Sequence, residues 1–390
     1  LQAVILCAGK STRTYPLTLS RPKPLLPLVN KSILEWNLAE LEGVVEEAVL
    51  IVGYKAEMVK EAIGDRFGSI RIVYTEQQQQ LGTGHAVLQA ADRLRGPFLV
   101  LNGDDVYSRD DFLRLSGAQA AALVCEVANP SLYGVYQVDA DGRVLDLEEK
   151  PAKPKGNLAN LGCYKFPLEV LQYLRNTPRS ERGEIEITSA IRALAMDRPF
   201  YAVRRSGRWL PTGFAWDLLK NARSLWIEGA VPARSVHSSS RIHPAATVLE
   251  PVHIGPRCEV AAEAVIGPYT VLVADCKVDP AAVVSGSVVM QGSVIGTAAV
   301  ITDSIVGRGC QLGSCTRTLA KPGDADMVTS EVKGKRLSTG LEQLGAVLGD
   351  DVEVGSGVTF LPGVKVWPGI RIPAGQTVQA DLRPADFVWE

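Results

Sequence analysis

The chain has 390 residues, 46% of them hydrophobic and 22% charged, with a formal net charge of -2 at pH 7. That is the make-up of a globular protein long enough for two cores, and its near-neutral balance argues against nucleic acid or an anionic membrane as the main partner, since both demand a basic stripe that releases counterions. Cysteines stand at 7, 125, 163, 258, 276, 310 and 315 with no C-x-x-C pair, so neither a zinc site nor a disulfide framework is expected, and a reducing cytoplasm is the simplest location.

The first predicted element is the strand AVILCA. No basic segment precedes it and no apolar run is long enough to cross a bilayer, so neither secretion nor membrane insertion is expected. Behind the strand comes LCAGKSTRTYPLTLSRPK, Leu6 to Lys23. A turn without bulk at Ala8 and Gly9 can point amide hydrogens at phosphate oxygens, and two fixed cations, Arg13 and Lys23, can offset the charge that builds up in phosphoryl or nucleotidyl transfer. An ordinary strand-to-helix turn with solvated basic residues is the alternative for these residues alone. The GKST at Gly9 to Thr12 is not a P-loop: that motif needs a glycine five residues before Gly9, where Val4 stands.

From residue 1 to about Ile227, short apolar runs (EAVLIVG, IRIVYT, PFLVLNGDD) alternate with helical stretches (SILEWNLAELEG, AEMVKEAIGDRF, HAVLQAADRL). This alternation predicts an α/β domain over residues 1–227 with a doubly wound, mostly parallel, Rossmann-like sheet. Ligands of such sheets gather beyond the carboxyl ends of the strands, where the loops after Ala8, Thr75 and Leu101 would meet. In the last of these, Asn102-Gly103-Asp104-Asp105 sets a carboxylate beside the phosphate site, where it could hold Mg²⁺; a solvated turn is the alternative.

A linker over 228–240 leads to a different pattern. From 241 to 390 apolar residues recur every sixth position: Ile242, Val248, Ile254, Val260, Ile266, Leu272, Val278, Val284 and Met290 in one phase, then Val288, Val294, Val300, Val306 and Leu312 in another. Leu348, Val354, Phe360, Val366, Ile372 and Val378 resume the second phase, and the intervening stretch, about 317–345, should loop out. A period of six suits a triangular coil in which each short strand points one residue inward and each corner is small or glycine. The pattern resembles the left-handed parallel β-helix of hexapeptide-repeat proteins.

Leu6, Ala8, Gly9, Thr12, Arg13, Pro16, Leu17, Thr18 and Arg21 to Pro24 match LAAGxGTRLxPLT followed by RPKP, so the chain resembles the sugar-1-phosphate nucleotidylyltransferases. Ser11 stands where that family has glycine and Thr14 where it has leucine; serine fits if the turn keeps negative φ or a tolerated left-handed geometry. The resemblance implies catalytic roles for Arg13 and Lys23, nucleotide contacts at Leu6, Ala8 and Gly9, and metal binding at Asp104. The run QQQQLGTGHA resembles the QxxxLGTGHA loop of N-acetylglucosamine-1-phosphate uridylyltransferases, which implies that Gln77 and the backbone near Gly82 recognise the base and that Thr83 lies by the sugar phosphate. His85 reads as structural. Sugar-phosphate contacts carried over on motif are Gly134 in PxxYG, Glu148 in LEEKP and Asn160 in ANLG; Lys150 could bind phosphate or be surface charge, and GEIEIT (183–188) stays outside the site. The family's second metal ligand is an aspartate in a DxG element, but this chain reads WLPTGFAWD, with Pro211 in its place. Asp217 is the nearest replacement, or the ion relies on Asp104, phosphates and waters.

The reaction so implied is attack of a sugar-1-phosphate, N-acetylglucosamine-1-phosphate above others, on the α-phosphorus of UTP or dTTP. The second half resembles the acetyltransferase part of the archaeal bifunctional enzymes that make UDP-N-acetylglucosamine, which implies a homotrimer built through the coil. That family's base is a histidine, and Thr297 occupies its position; no histidine follows His253, so acetyl transfer is expected to be weak or lost. His243 and His253 read as exposed corner residues. A glucose-1-phosphate thymidylyl- or uridylyltransferase and a non-catalytic nucleotide-sugar-binding subunit are the alternatives.

Overall fold

The structure is a computed structural model and describes residues 1–323 and 327–389. The chain divides into two units, one of Leu1–Lys10, Pro22–Leu25 and Ile33–Pro211, the other of Ser11–Arg21, Leu26–Ser32 and the chain from Thr212 onward.

The first unit runs β1 (Gln2–Leu6), α1 (Ile33–Leu41), β2 (Glu47–Val52), α2 (Ala56–Ile63), β3 (Arg66–Phe67), β4 (Ile70–Glu76), α3 (Thr83–Leu88), β5 (Phe98–Asn102), β6 (Asp105–Tyr107), α4 (Arg109–Ser116), β7 (Ala121–Glu126), β8 (Gly134–Val138), β9 (Val144–Glu149), β10 (Leu158–Phe166), α5 (Val170–Asn176), α6 (Ile187–Asp197), β11 (Tyr201–Arg204) and β12 (Trp209–Pro211). Among the described residues ten strands form one sheet in the order β9-β8-β10-β5-β1-β2-β4-β3, with β7 pairing β10 and β11. β5, β1, β2 and β4 are parallel, with Ile5 opposite Leu50 and Leu101. They are apolar throughout because both faces are covered. Val4, Val49 and Val100 pack among the residues of α3, α5 and α6, whereas Ile5, Leu50 and Leu101 pack with Leu34, Leu38 and Phe112 of α1 and α4.

The sheet is mixed: beside the parallel strands, β10 runs antiparallel to β5 and β7, and β8 antiparallel to β9 and β10. The physical reason is connection length. Strands β8 and β9 are joined by the short turn 139–143, which cannot make the long crossover that parallel pairing needs.

In the second unit α7 (Asp217–Ile227) precedes a left-handed parallel β-helix of three seven-stranded sheets, counted among the described residues. Its first strand, β13 (Arg234–Val236), lies in the stretch read as linker and pairs with Val252–Ile254. The first turns are stacked eighteen residues apart, as Val252 on Thr270, and the next ones seventeen, as Val271 on Val288. Ile254, Val260, Ile266, Leu272, Val278 and Val284 point inward as the period predicts. The inward residues beyond them are Val289, Ile295 and Ile301, not Met290, Val294 or Val300, and Val300 is an exposed hydrophobic. The change of phase is therefore delivered in two steps of one residue, at Val284 to Val289 and at Ile301 to Val306. Each step falls on a shortened corner ending in a buried serine. The Ser287 hydroxyl donates to Ser285 O (2.8 Å) and accepts from Ser304 N–H (3.0 Å), and Ser304 repeats the arrangement with Thr302 O and Ala346 N–H, so polar groups at the shortened corners are paired.

Corners recur in the left-handed region at the same spacing, at Arg257, Glu263, Tyr269, Asp275 and Ala281 with φ from 53° to 60°. They are not uniformly small. Each such residue costs about 1 kcal/mol, and stacking returns part of it: Arg257 forks onto Asp275 of the next turn at 2.5 and 2.8 Å. The chain leaves the coil after Arg317–Thr318, which still pairs with Thr359–Phe360, and re-enters at Val347. Between them β14 (Thr329–Val332) and β15 (Lys335–Ser338) form a hairpin, while 324–326 of the expected loop lie outside the described residues. His243 is exposed, but His253 is not at a corner: it lies within the strand Val252–Ile254, half-buried, its Nδ1 3.1 Å from Ser235 Oγ.

Candidate active site

Four loops at the carboxyl ends of the parallel strands are tied together in the first unit. Leu6 O accepts Gly103 N–H (2.9 Å), and Ala8 O accepts both Tyr54 N–H (3.0 Å) and Gln80 Nε2 (2.8 Å). Ala8 is buried and Gly9 exposed, so the tip of the turn is open above a fixed base. Gly103 makes the approach possible, because a Cβ there would stand 2.5 Å from Cys7 Sγ and 2.8 Å from Leu6 O. Burial, reinforced by the Asp104 charge, raises the Cys7 thiol far above its ordinary value, so this cysteine is packing rather than a nucleophile.

Lys23 sits in a 3-10 turn with its side chain 4% exposed, its Nζ donating to Asp104 Oδ2 at 2.7 Å. The Asp104 side chain keeps 36% of its surface. A buried Asn37 on α1 steadies the same loop by donating to Asp105 O (2.7 Å) and accepting from Tyr107 N–H (3.2 Å). A carboxylate with one oxygen paired and the other open fits Mg²⁺, which takes one or two carboxylates and completes its shell with phosphates and water. Among the described residues no group of three or more His, Cys, Asp or Glu converges on a point. Pro211 pairs across β12 and β6 with Asp105. Asp217 belongs to the second unit, where its Oδ2 accepts Phe214 N–H at 2.8 Å and its Oδ1 lies 3.7 Å from Lys220 Nζ.

Arg13 is also in the second unit, exposed in the turn Thr12–Thr14 with its guanidinium 5.6 Å from the Phe214 ring. Ser11 takes the left-handed conformation, φ 54°, and its carbonyl accepts the hydroxyls of Thr14 (2.6 Å) and Thr18 (2.9 Å). The residues that replace the family's glycine and leucine thus brace the turn together.

Gln77 is buried, and its amide donates to Gly82 O (3.1 Å) and pairs with His85 Nδ1 (3.0 Å). Those bonds close the QQQQLG turn, with Gly82 at φ 97°, where a side chain would be strained. His85 is held between Gln77 and Gln89, one at each ring nitrogen. Thr83 begins α3 and accepts Ile187 N–H on its hydroxyl (3.3 Å). The segment GEIEIT, set aside in the sequence, forms the wall of this turn: Gly84 N–H donates to Ile185 O (2.8 Å) and Ile185 N–H to Leu81 O (2.7 Å).

On the sugar side the strand register decides which glutamate lies beside Gly134. In the β8–β9 register Gly134 faces Glu149 and Val135 faces Glu148. A methyl on Gly134 would meet Glu149 Oε2, Asn160 Cβ and Thr188 Cγ2 at 3.2–3.4 Å, whereas Glu148 is exposed. The carboxylate beside Gly134 and Asn160 is Glu149, with Arg182 at 3.7 Å and Lys150 at 3.5 Å. Counting by two from the buried Leu147 would have found it, because alternate residues of a strand share a face. Asn160 donates to Tyr164 OH (2.7 Å) and accepts Gly162 N–H (3.2 Å). The Thr188 hydroxyl, beside Gly134, is buried without a partner among the described residues, an orphan that a substrate hydroxyl could satisfy.

Residues 2–226 match the family described as Nucleotidyl transferase, and residues 248–376 the one described as GMPPB C-terminal domain. The chain is similar along its whole length, at 35% identity and covering 98% of the relative, to "Bifunctional protein GlmU" of Methanococcus vannielii. It is 30% identical, over 99% of both chains, to the "Bifunctional sugar-1-phosphate nucleotidylyltransferase/acetyltransferase" of Sulfurisphaera tokodaii. A solved structure of UDP-glucose pyrophosphorylase complexed with UDP-glucose shares the fold over 58% of this chain and 98% of its own, with a TM-score of 0.54 and 23% identity.

Proposed function

This chain belongs to the nucleotidyl transferase family as an enzyme of the sugar-1-phosphate nucleotidylyltransferase kind, and we propose that it joins UTP to N-acetylglucosamine-1-phosphate, releasing pyrophosphate. A phosphate oxygen of the sugar-1-phosphate attacks the α-phosphorus in line. The new P–O bond forms as the bond to the bridging oxygen breaks, and that electron pair leaves on pyrophosphate. The nucleophile is already anionic, so no base is needed, and catalysis consists of alignment and charge neutralisation.

Lys23 holds the two facing phosphates and Arg13 the triphosphate. Leu6, Ala8 and Gly9 carry the nucleotide with Gln77 and Gly82, while Thr83, Gly134, Glu149 and Asn160 hold the sugar phosphate. Asp104 would hold Mg²⁺ together with phosphate oxygens and water, and the ion would supply neutralisation of charge on the triphosphate. The observation that carries the reading is the buried Lys23 ammonium, 2.7 Å from Asp104 at the end of β5. Pyrophosphate release with a panel of sugar-1-phosphates and the four NTPs tests it: turnover best with UTP and N-acetylglucosamine-1-phosphate is expected, and a preference for glucose-1-phosphate with dTTP would redirect it. Pro211 at the family's second aspartate favours one rival, a subunit that binds nucleotide sugars without turnover, which no release with any pair would establish.

The coil, in this reading, forms a homotrimer and has weak or lost acetyl transfer, because Thr297 stands on an exposed corner where a base is required. Light scattering checks the first point and acetyl-CoA-dependent acylation of glucosamine-1-phosphate the second. Among the described residues no helix is long and apolar enough to cross a membrane. A cytoplasmic site of action is consistent with cysteines that are all free thiols.

A further inference from the structure

Segment Ser11–Arg21, which carries Arg13, is grouped by its contacts with the β-helix rather than with the sheet that supplies Lys23 and Asp104. Two separate attachments account for this. At its far end Ser20 Oγ and Arg21 Nη2 both donate to Asp350 Oδ2, at 2.8 and 2.5 Å, and Arg21 Nη1 lies 3.4 Å from Met290 Sδ. Asp350 is buried on the coil, its side chain 2% exposed, and its other oxygen accepts Arg308 N–H at 2.9 Å, so the anchor is itself fixed to the coil backbone. Nearer Arg13, the Tyr15 ring stacks on Trp389 (5.9 Å, 14°) and meets Phe387 edge-on (6.2 Å). Those rings pack on Trp367 of the coil, and the Arg383 guanidinium lies 4.9 and 5.3 Å from the Trp367 and Trp389 rings.

A surface loop of a nucleotide site does not need a buried carboxylate more than three hundred residues away to fold. Burying Asp350 and Arg21 is costly unless the pairing is maintained, and what the pairing maintains is the path of the turn around Arg13. We propose that Asp350 and the Tyr15–Trp389 stack are positioning residues for nucleotidyl transfer: the β-helix acts as the jig that holds Arg13 in its working geometry. This rests on the catalytic role given to Arg13 above.

The test is a double-mutant cycle on the full-length protein, measured as initial rates of pyrophosphate release with folding followed by thermal denaturation. Asp350→Asn keeps the size but removes the charge that receives Arg21. It is expected to lower kcat about tenfold or more with the KM for the nucleotide within a factor of about two, since an interaction felt in the transition state is lost. In an Arg13→Ala background the same substitution is expected to change kcat less than about twofold, because its effect passes through Arg13. Trp389→Ala, at the half-buried chain end, should behave likewise and stands in if Asp350→Asn does not fold. A kcat unchanged by either variant overturns the proposal, as does an equal loss in both backgrounds. A loss from Asp350→Asn where Arg13→Ala alone costs nothing overturns the role of Arg13 instead.

Discussion

Replacing Lys23 by methionine separates catalysis from stability. The lysine side chain is 4% exposed and its recorded partner, Asp104, is 36% exposed at 2.7 Å. Burying the ammonium costs desolvation that the pair offsets only in part, and an apolar side chain of similar length removes both terms, so unfolding should change by about 1 kcal/mol or less. On that footing Tm moves by about 2–4 °C at most in a unit of this size. The rate should respond far more strongly. A fixed charge aimed at the reacting phosphates is worth about 3–4 kcal/mol in the transition state, so kcat and kcat/KM should fall together by about 10²–10³-fold. Pyrophosphate release at saturating substrates, beside a thermal melt, measures both quantities. Lys23→Met retaining more than a tenth of kcat, or a loss of rate that tracks a loss of fold, refutes the assignment.

Glu149→Gln should raise KM for the sugar-1-phosphate about tenfold while Glu148→Gln leaves it unchanged, the cost being that of one charged hydrogen bond; equal effects would return the site to Glu148. Gly103→Ala should destabilise the first unit by about 1–3 kcal/mol, since its methyl would overlap Cys7 and the Leu6 carbonyl, as denaturant titration would show. Phe360→Ala, in the coil core at 0% exposure, should cost about 3–5 kcal/mol in the same experiment. Burial, with the His237 charge second, lowers His253 to about 4, below its ordinary 6.5. Its contribution is thus complete above pH 6.5 and lost as pH falls toward 4, by about 1–3 kcal/mol once partial exposure is allowed for. His253→Gln should flatten the fall in coil stability over that window, and an unchanged slope would place the acid sensitivity elsewhere.

The parallel core was legible because its strands are buried on both faces, and runs such as EAVLIV carry that constraint in composition alone. The coil was legible for a similar reason: each strand turns one residue inward, so the same apolar requirement returns at Ile254, Val260, Ile266 and onward. Its two register changes were not, because Val288 beside Val289, Val294 beside Ile295 and Val300 beside Ile301 offer both phases, and only the folded coil decides between them.

Of the candidate site, the loops around Ala8, Lys23, Gly82 and Asp104 could be placed from local motifs, since a turn, a strand end and a short-range glycine are encoded within a few residues. Glu149 could not be separated from Glu148 by motif. The two differ in which face of β9 they occupy, Glu149 sharing that of Leu147, and pairing with β8 sets this face beside Gly134.

Period and punctuation along the chain thus determine which architectures can form, because burial and turn geometry act over a few residues at a time. Which side chain faces which partner was decided only in three dimensions. Arg21 and Asp350, 329 residues apart, meet because the folded second unit brings their opposite charges within 2.5 Å, and no local pattern at either position requires the other.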